Sequence, residues 1–344
     1  MSNKDLSLLP NDQSISIPKN LVDLEPARVS RYLITANLIK QATSDITYSK
    51  ILDLGGKKGL LREFGIKSTI IDIEDSEDEN YIKGSALDMP FKDNSFDVVV
   101  SCDVLEHILS KDREKFIQEA MRVTNGFVII CAPFNNSDVS ESEKKANTFY
   151  KNISSENHRW LIEHIENGLP DMVKIEKFLK DQKYSYKFYR HLSLKIWDLT
   201  TKIHFLNAVF GDSKDINSLS KKIYLKYYND LCGLDYSDTG YRTFLVLNKN
   251  GSFNLKLPNT NEREKAINEF ENYLNKELIK TIEGLAVEKR ELQNKTIEQH
   301  LINNKKYNEN LNKINALKSE IQDIKSSQSY KLAQKLSKAK NFYK

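Results

Sequence analysis

The chain has 344 residues, enough for one large domain and an appendage, because single hydrophobic cores stop growing at about 250–300 residues. Its 52 Lys and Arg against 48 Asp and Glu leave a net charge of +4, too balanced to argue for nucleic acid from composition. Cys102, Cys131 and Cys232 are widely spaced with no CxxC, which argues against a disulfide framework or a cysteine-rich zinc site and fits a reduced, cytoplasmic setting. The opening MSNKDLSLLPNDQS has no apolar leader core, and no uncharged apolar run approaches the roughly 18 residues that cross a bilayer.

In chain order, Val29, Tyr32, Leu33, Ala36 and Ile39 recur at helical spacing and predict a helix ahead of a first strand at 50–54. Runs rich in β-branched residues predict further strands at 68–73, 96–102 and 126–132, apolar on both faces as buried parallel strands are. KDREKFIQEAMRV, between the last two, reads as an amphipathic crossover helix. Strands alternating with helices predict an α/β fold, a parallel sheet with helices on both faces. The stretch 135–157 reads as polar and irregular, 156–182 as helical, YSYKFYR as a sixth strand and GYRTFLVLNK as the last. Between those two strands, 191–239 is a helical insertion rich in aromatics: Trp197, Phe205, Phe210, Tyr224, Tyr227 and Tyr228. Those aromatics are either a substrate cover or simply core.

Residues 1–250 are thus expected to form the main domain. A coiled coil follows at 261–325, with Ile267, Phe270, Leu274, Leu278, Ile282 and Leu285 spaced by three and four. The pattern weakens and then resumes at Leu311, Ile314, Ile321 and Ile324, and it implies a homo-oligomer. The tail 326–344 has five lysines and no acid; drawn as a helix it is amphipathic, either a peripheral membrane contact or a solvated basic end.

Chemistry concentrates in ILDLGGKKGL. A strand ending near Asp53, a turn with Gly55, Gly56 and Gly59, and a second strand ending at Asp72 form a nucleotide-type cradle, in which glycine admits the ligand close to the backbone and the acid grips ribose hydroxyls. The third piece is GSALDMPFKDNSFDVVVSCDVLEHI.

This ensemble resembles the class I S-adenosylmethionine-dependent methyltransferases of the small-molecule, type 11 kind. The pieces are Leu52-Asp53-Leu54-Gly55, Asp72, Asp88-Met89-Pro90-Phe91, Asp93, Ser95-Phe96-Asp97 and Leu105-Glu106-His107, over about 28–133. The resemblance implies a Rossmann-like sheet and S-adenosylmethionine as cofactor. It gives Asp53 the methionine moiety, Asp72 the ribose and Asp88 the adenine amine. Lys57 departs from the pattern, since it stands where the family has a glycine and the cofactor's sulfur is cationic. Pointing outward it leaves a working site; pointing inward it makes a degenerate one.

Asp103, at the end of the fourth strand, is read as a contact to cofactor or acceptor, or as structural. His107 is read as the base that takes an acceptor hydroxyl's proton, or as a packing residue. His158 and His164 are expected at the surface, and the absence of HExxH, GxSxG and P-loop patterns leaves no metal or hydrolase signature. The aromatic tetrapeptide of adenine-N6 methyltransferases is missing, so DNA is not the expected acceptor. The coil and the S-x-S-Y-K-L tail are similar to those on enzymes of cell-surface polysaccharide assembly, which implies O-methylation of a glycan hydroxyl. The alternatives are a small-metabolite or quinone-like acceptor, or a non-catalytic scaffold.

Overall fold

Along each central strand, successive side chains point to opposite faces and both faces are buried, so the strands cannot lie at a surface. Val98, Val100, Ile129, Cys131, Phe244 and Val246 belong to one apolar cluster, while Val99, Val128, Ile130, Leu245 and Leu247 belong to another. The computed structural model describes residues 17–43, 49–56, 60–251 and 260–326.

The seven strands are β1 (Ile51–Leu54), β2 (Thr69–Asp72), β3 (Tyr81–Lys83), β4 (Phe96–Cys102), β5 (Thr124–Pro133), β6 (Ser185–Ser193) and β7 (Gly240–Asn248). They lie in the order β3-β2-β1-β4-β5-β7-β6, with β1 to β5 parallel and β7 antiparallel to both β5 and β6. Helices α1 (Pro26–Ala42), α3 (Ser137–Ser154), α6 (Leu194–Phe210) and α7 (Lys214–Asp230) supply the first cluster, and α2 (Arg113–Val123) and α5 (Met172–Asp181) the second. Helices therefore cover both faces, as expected.

Three expectations change. The sheet is mixed because β6 and β7 are the arms of one long hairpin, whose loop holds α6 and α7 and is tied at its neck by Leu192 N donating to Asp235 O and Leu194 N to Thr239 O. The three-residue β3 is too short to register as a periodic pattern. Within 135–157 the chain forms the 18-residue α3, whose N-cap Asn136 accepts a hydrogen bond from Asp138 N. Its buried face is Val139, Glu143, Ala146 and Asn147, half of it polar, so no apolar period announced the helix. No helix links β2 to β3 across the short acidic stretch 73–80.

Trp197, Phe205, Tyr224, Tyr227 and Tyr228 of the insertion are buried, while Phe210 is exposed. Trp197 stacks on Tyr241 at 4.0 Å between ring centroids, and Tyr228 Oη donates to Leu24 O. They build the core beneath α1 and α3.

The 67-residue α8 (Thr260–Ser326) crosses a boundary between two compact units, Met1–Thr281 and Ile282–Lys344. Phe270 and Leu274 are fully buried in the first unit, with Phe270 edge-on to Tyr227 at 5.7 Å. Lys195 pairs with Glu271, and Lys222 with Glu277 at 3.2 Å. The first turns of the expected coil thus serve the domain's own core. In the second unit, Ile282, Val287, Leu292, Ile297, Leu301, Ile314 and Ile321 are exposed. Lys57, Gly59 and the tail beyond Ser326 lie outside the described residues.

Candidate active site

The parallel strands β1, β2 and β4 end along one edge, the place where open α/β sheets bind ligands. Gly55 has φ +73°, and a Cβ there would stand 2.4 Å from Val104 Cγ2; at Gly56 it would stand 2.2 Å from Asp53 Oδ2. A side chain at either position would force Val104 or Asp53 to shift, and the positive φ of Gly55 disfavours other residues as well. Gly55 N donates to Ile71 O at 2.8 Å, holding the turn against β2. Asp53 is 2 % exposed, and burial, then the charge of Asp72, pushes its carboxyl up to about 7. Asp72 Oδ1 accepts from Glu74 N, and Tyr81 Oη donates to Asp72 O at 2.8 Å. Asp88 is exposed in the turn after β3, its N donating to Ser85 O, and Gly84 N donates to Asp72 O. Asp53, Gly55, Gly56, Asp72 and Asp88 therefore share the carboxyl edge of the sheet.

Asp103, just past β4, adopts φ 54°, a left-handed conformation that aspartate tolerates better than most residues. Arg242 of β7 grips its carboxylate with two bonds, Nε to Oδ1 at 2.9 Å and Nη2 to Oδ2 at 2.6 Å. Arg31 of α1 pairs with the same Oδ2. Burial alone would raise the carboxyl's pKa, but the two guanidinium groups outweigh it and hold the group well below the carboxylate range. Arg242 Nη1 also donates to Ala27 O at 2.8 Å. Asp103 thus locks α1, β4 and β7 together, and its oxygens are already engaged.

Next along the chain, Glu106 and His107 meet His164 of α4 (Arg159–Asn167). His107 Nδ1 lies 2.9 Å from Glu163 Oε1, and its ring sits 5.2 Å from that of His164 and 5.4 Å from Trp160. Burial, then the neighbouring His164, lowers the His107 pKa against the pull of Glu163. His164 is 7 % exposed, so the expectation of a surface histidine fails: α4 turns Leu161 and His164, three apart, inward together. Its Nδ1 meets Glu143 Oε1 at 2.9 Å, and Tyr241 Oη donates to the same oxygen at 2.7 Å. Burial opposes protonation of His164, but Glu143 outweighs it and raises the pKa. Glu106 is 1 % exposed, and neither carboxyl oxygen accepts a hydrogen bond from another residue. Burial, then the charge of Asp103, pushes it up to about 8. Arg113 fastens this turn to the end of α4 by donating from Nε to Ile108 O at 2.9 Å and from Nη2 to Gly168 O at 2.5 Å.

Sequence reasoning did not single out Arg31, Arg242, Glu143, Glu163, Trp160 or Arg113. All but Arg113, which bonds back to the turn just before it, come from distant segments.

Residues 62–130 match the family described as "Methyltransferase domain". Among curated proteins, ajmaline N-methyltransferase of Rauvolfia serpentina is 45% identical over 62 residues, which is 18% of this chain and 21% of that protein. Norajmaline N-methyltransferase of the same organism is 38% identical over 60 residues, 17% of this chain and 20% of that protein. The chain thus spans about a fifth of the length of these relatives. Among solved structures, a SAM-dependent methyltransferase from Thermotoga maritima is 14% identical with TM-score 0.40, covering 64% of this chain and 91% of that one. Phosphoethanolamine N-methyltransferase 2 of Haemonchus contortus, in complex with phosphomonomethylethanolamine and S-adenosylhomocysteine, is 16% identical with TM-score 0.38, covering 62% and 52%. Residues 62–130 are thus similar to a methyltransferase domain, and they lie within a seven-stranded α/β sheet.

Proposed function

We propose that this chain transfers a methyl group from S-adenosylmethionine to an oxygen of a small acceptor, and that the acceptor is a glycan hydroxyl of cell-surface polysaccharide assembly. The observation that supports an oxygen acceptor is the His107–Glu163 pair beyond β4. An amine that is neutral at pH 7 attacks without a base, whereas a hydroxyl must lose its proton as the new bond forms.

The cradle suits the cofactor, because the contacts at Gly55 and Gly56 leave no room for a side chain and the buried Asp53 needs a cationic partner to ionise. Asp53 would hold the methionine moiety, Asp72 the ribose hydroxyls and Asp88 the adenine amine. When bound, S-adenosylmethionine supplies an electrophilic methyl group on a sulfonium. Asp103, held by Arg31 and Arg242, fixes the loop that carries Glu106 and His107. Glu163 orients His107 through Nδ1, which leaves Nε2 to take the acceptor's proton.

The exposed apolar residues of Ile282–Ser326 are proposed to pair with a second copy of the chain, and the basic tail to touch the inner face of a membrane from the cytoplasm. No described helix is long and apolar enough to cross one.

The test is methyl transfer from isotope-labelled S-adenosylmethionine to paired acceptors, saccharides with free hydroxyls against small amines. Label on a saccharide oxygen supports the reading. Label on amines alone would move the acceptor to another class.

A further inference from the structure

Glu106 has no part in the proton transfer assigned to His107 and Glu163. A carboxyl group 1 % exposed, with neither oxygen accepting a hydrogen bond from another residue, is costly to retain unless something arrives to meet it. What faces it is two imidazoles: a nitrogen from His107, a nitrogen from His164 and an oxygen of Glu106 lie within 4.8 Å of one another. Each histidine is also oriented from behind by a carboxylate, His107 by Glu163 and His164 by Glu143, both at 2.9 Å through Nδ1. Carboxylate behind imidazole is the arrangement that fixes a metal-ligating histidine's tautomer and presents its other nitrogen forward.

We propose that Glu106, His107 and His164 bind one divalent transition-metal cation, with the remaining coordination positions open to oxygens of the acceptor. Two imidazoles and one carboxylate suit zinc, manganese or iron better than calcium or magnesium, which take oxygen-rich shells. Bonds of about 2.0–2.2 Å put neighbouring ligand atoms about 3.3 Å apart, so the three groups need to draw in by at most about 1.5 Å from a 4.8 Å spread. Glu143 and Glu163 stand behind the two histidines, Glu106 would release its proton as the cation binds, and Tyr241 and Arg113 hold the surrounding shell in place.

This inference rests on the methyltransferase reading for the identity of the acceptor, and it changes one role within it. With the cation bound, His107 is a ligand, and the acceptor oxygen would be activated by direct coordination: its proton leaves to water, the new bond forms between that oxygen and the methyl carbon, and the sulfur–methyl bond breaks to release S-adenosylhomocysteine. Acceptors bearing two adjacent oxygens, such as a vicinal diol, fit two open positions best.

The experiment is calorimetric titration of the full-length, chelator-treated protein with zinc chloride and with manganese chloride, followed on the same samples by titration with S-adenosylmethionine. One equivalent of zinc or manganese should bind to the wild type. Glu106→Gln and His107→Ala should each weaken binding by more than about 100-fold, and Glu163→Gln, behind a ligand, by about 10–100-fold. His107 is half-exposed, so its variant is expected to fold even if a change at the buried Glu106 does not. Absence of binding at millimolar metal, or unchanged affinity in a folded His107→Ala variant, overturns the proposal. S-adenosylmethionine binding without metal binding would defeat this inference alone. Metal binding without S-adenosylmethionine binding would defeat the methyltransferase reading instead.

Discussion

Replacing Glu106 by glutamine should stabilise the metal-free protein, and by an amount that depends on pH. The carboxyl titrates at about 8 in the folded chain, against 4.5 ordinarily, because burial and then Asp103 disfavour its charge. A group whose pKa is raised on folding stabilises the fold fully below its unfolded value, and that contribution is lost as pH rises toward the folded value. From 4.5 to pH 7 the folded state holds a proton that the unfolded state has released, 2.5 pH units at about 1.4 kcal/mol each, or about 3 kcal/mol of cost at pH 7. Glutamine keeps the shape and never ionises, so the variant escapes that cost. Urea unfolding in the presence of a chelator should show Glu106→Gln ahead by about 3 kcal/mol at pH 7 and by less than about 1 kcal/mol at pH 5. Adding zinc should reverse the order, because only the wild type gains from a ligand specific to the folded state. A variant less stable than wild type at pH 7 without metal, or an advantage that does not change with pH, would refute the reasoning.

Three other outcomes follow from the geometry. His107→Ala should lower turnover by about a hundredfold or more while S-adenosylmethionine still binds; wild-type turnover that survives a chelator marks His107 as the base, and turnover lost to the chelator marks it as a ligand. Gly56→Ala drives a methyl to 2.2 Å from Asp53 Oδ2, so cofactor affinity should fall at least about tenfold in calorimetry, and unchanged affinity would show that Asp53 is not part of the cradle. Phe270→Ala should cost the domain about 3–5 kcal/mol in thermal or urea unfolding, whereas Ile297→Ala, in the exposed part of α8, should leave domain stability alone and shift sedimentation toward smaller species.

The parallel half of the sheet was legible because β-branched runs such as FDVVVSC carry their own signal, and the glycine turn was legible because few residues tolerate its contacts. The polar side of the site was not. Glu106 is followed at once by His107, but His164, Glu143 and Glu163, like the Arg31 and Arg242 that hold Asp103, stand far away in sequence, and no local pattern marks which face of α3 or α4 turns inward. The half-polar buried face of α3 hid the helix for the same reason. At α8 the difficulty ran the other way. Spacing of three and four is shared by a coil and by a helix docked on its own domain, and only the burial of Phe270 and Leu274 separates the two.

The most direct test of the central claim is titration of the purified full-length chain with S-adenosylmethionine, wild type beside Asp72→Ala. The account predicts saturable binding by the wild type and a loss of about 1.5–3 kcal/mol in the variant, the worth of a charge-assisted hydrogen bond to the ribose. No heat and no thermal shift with the wild-type protein would contradict it and leave a methyltransferase fold serving as a scaffold.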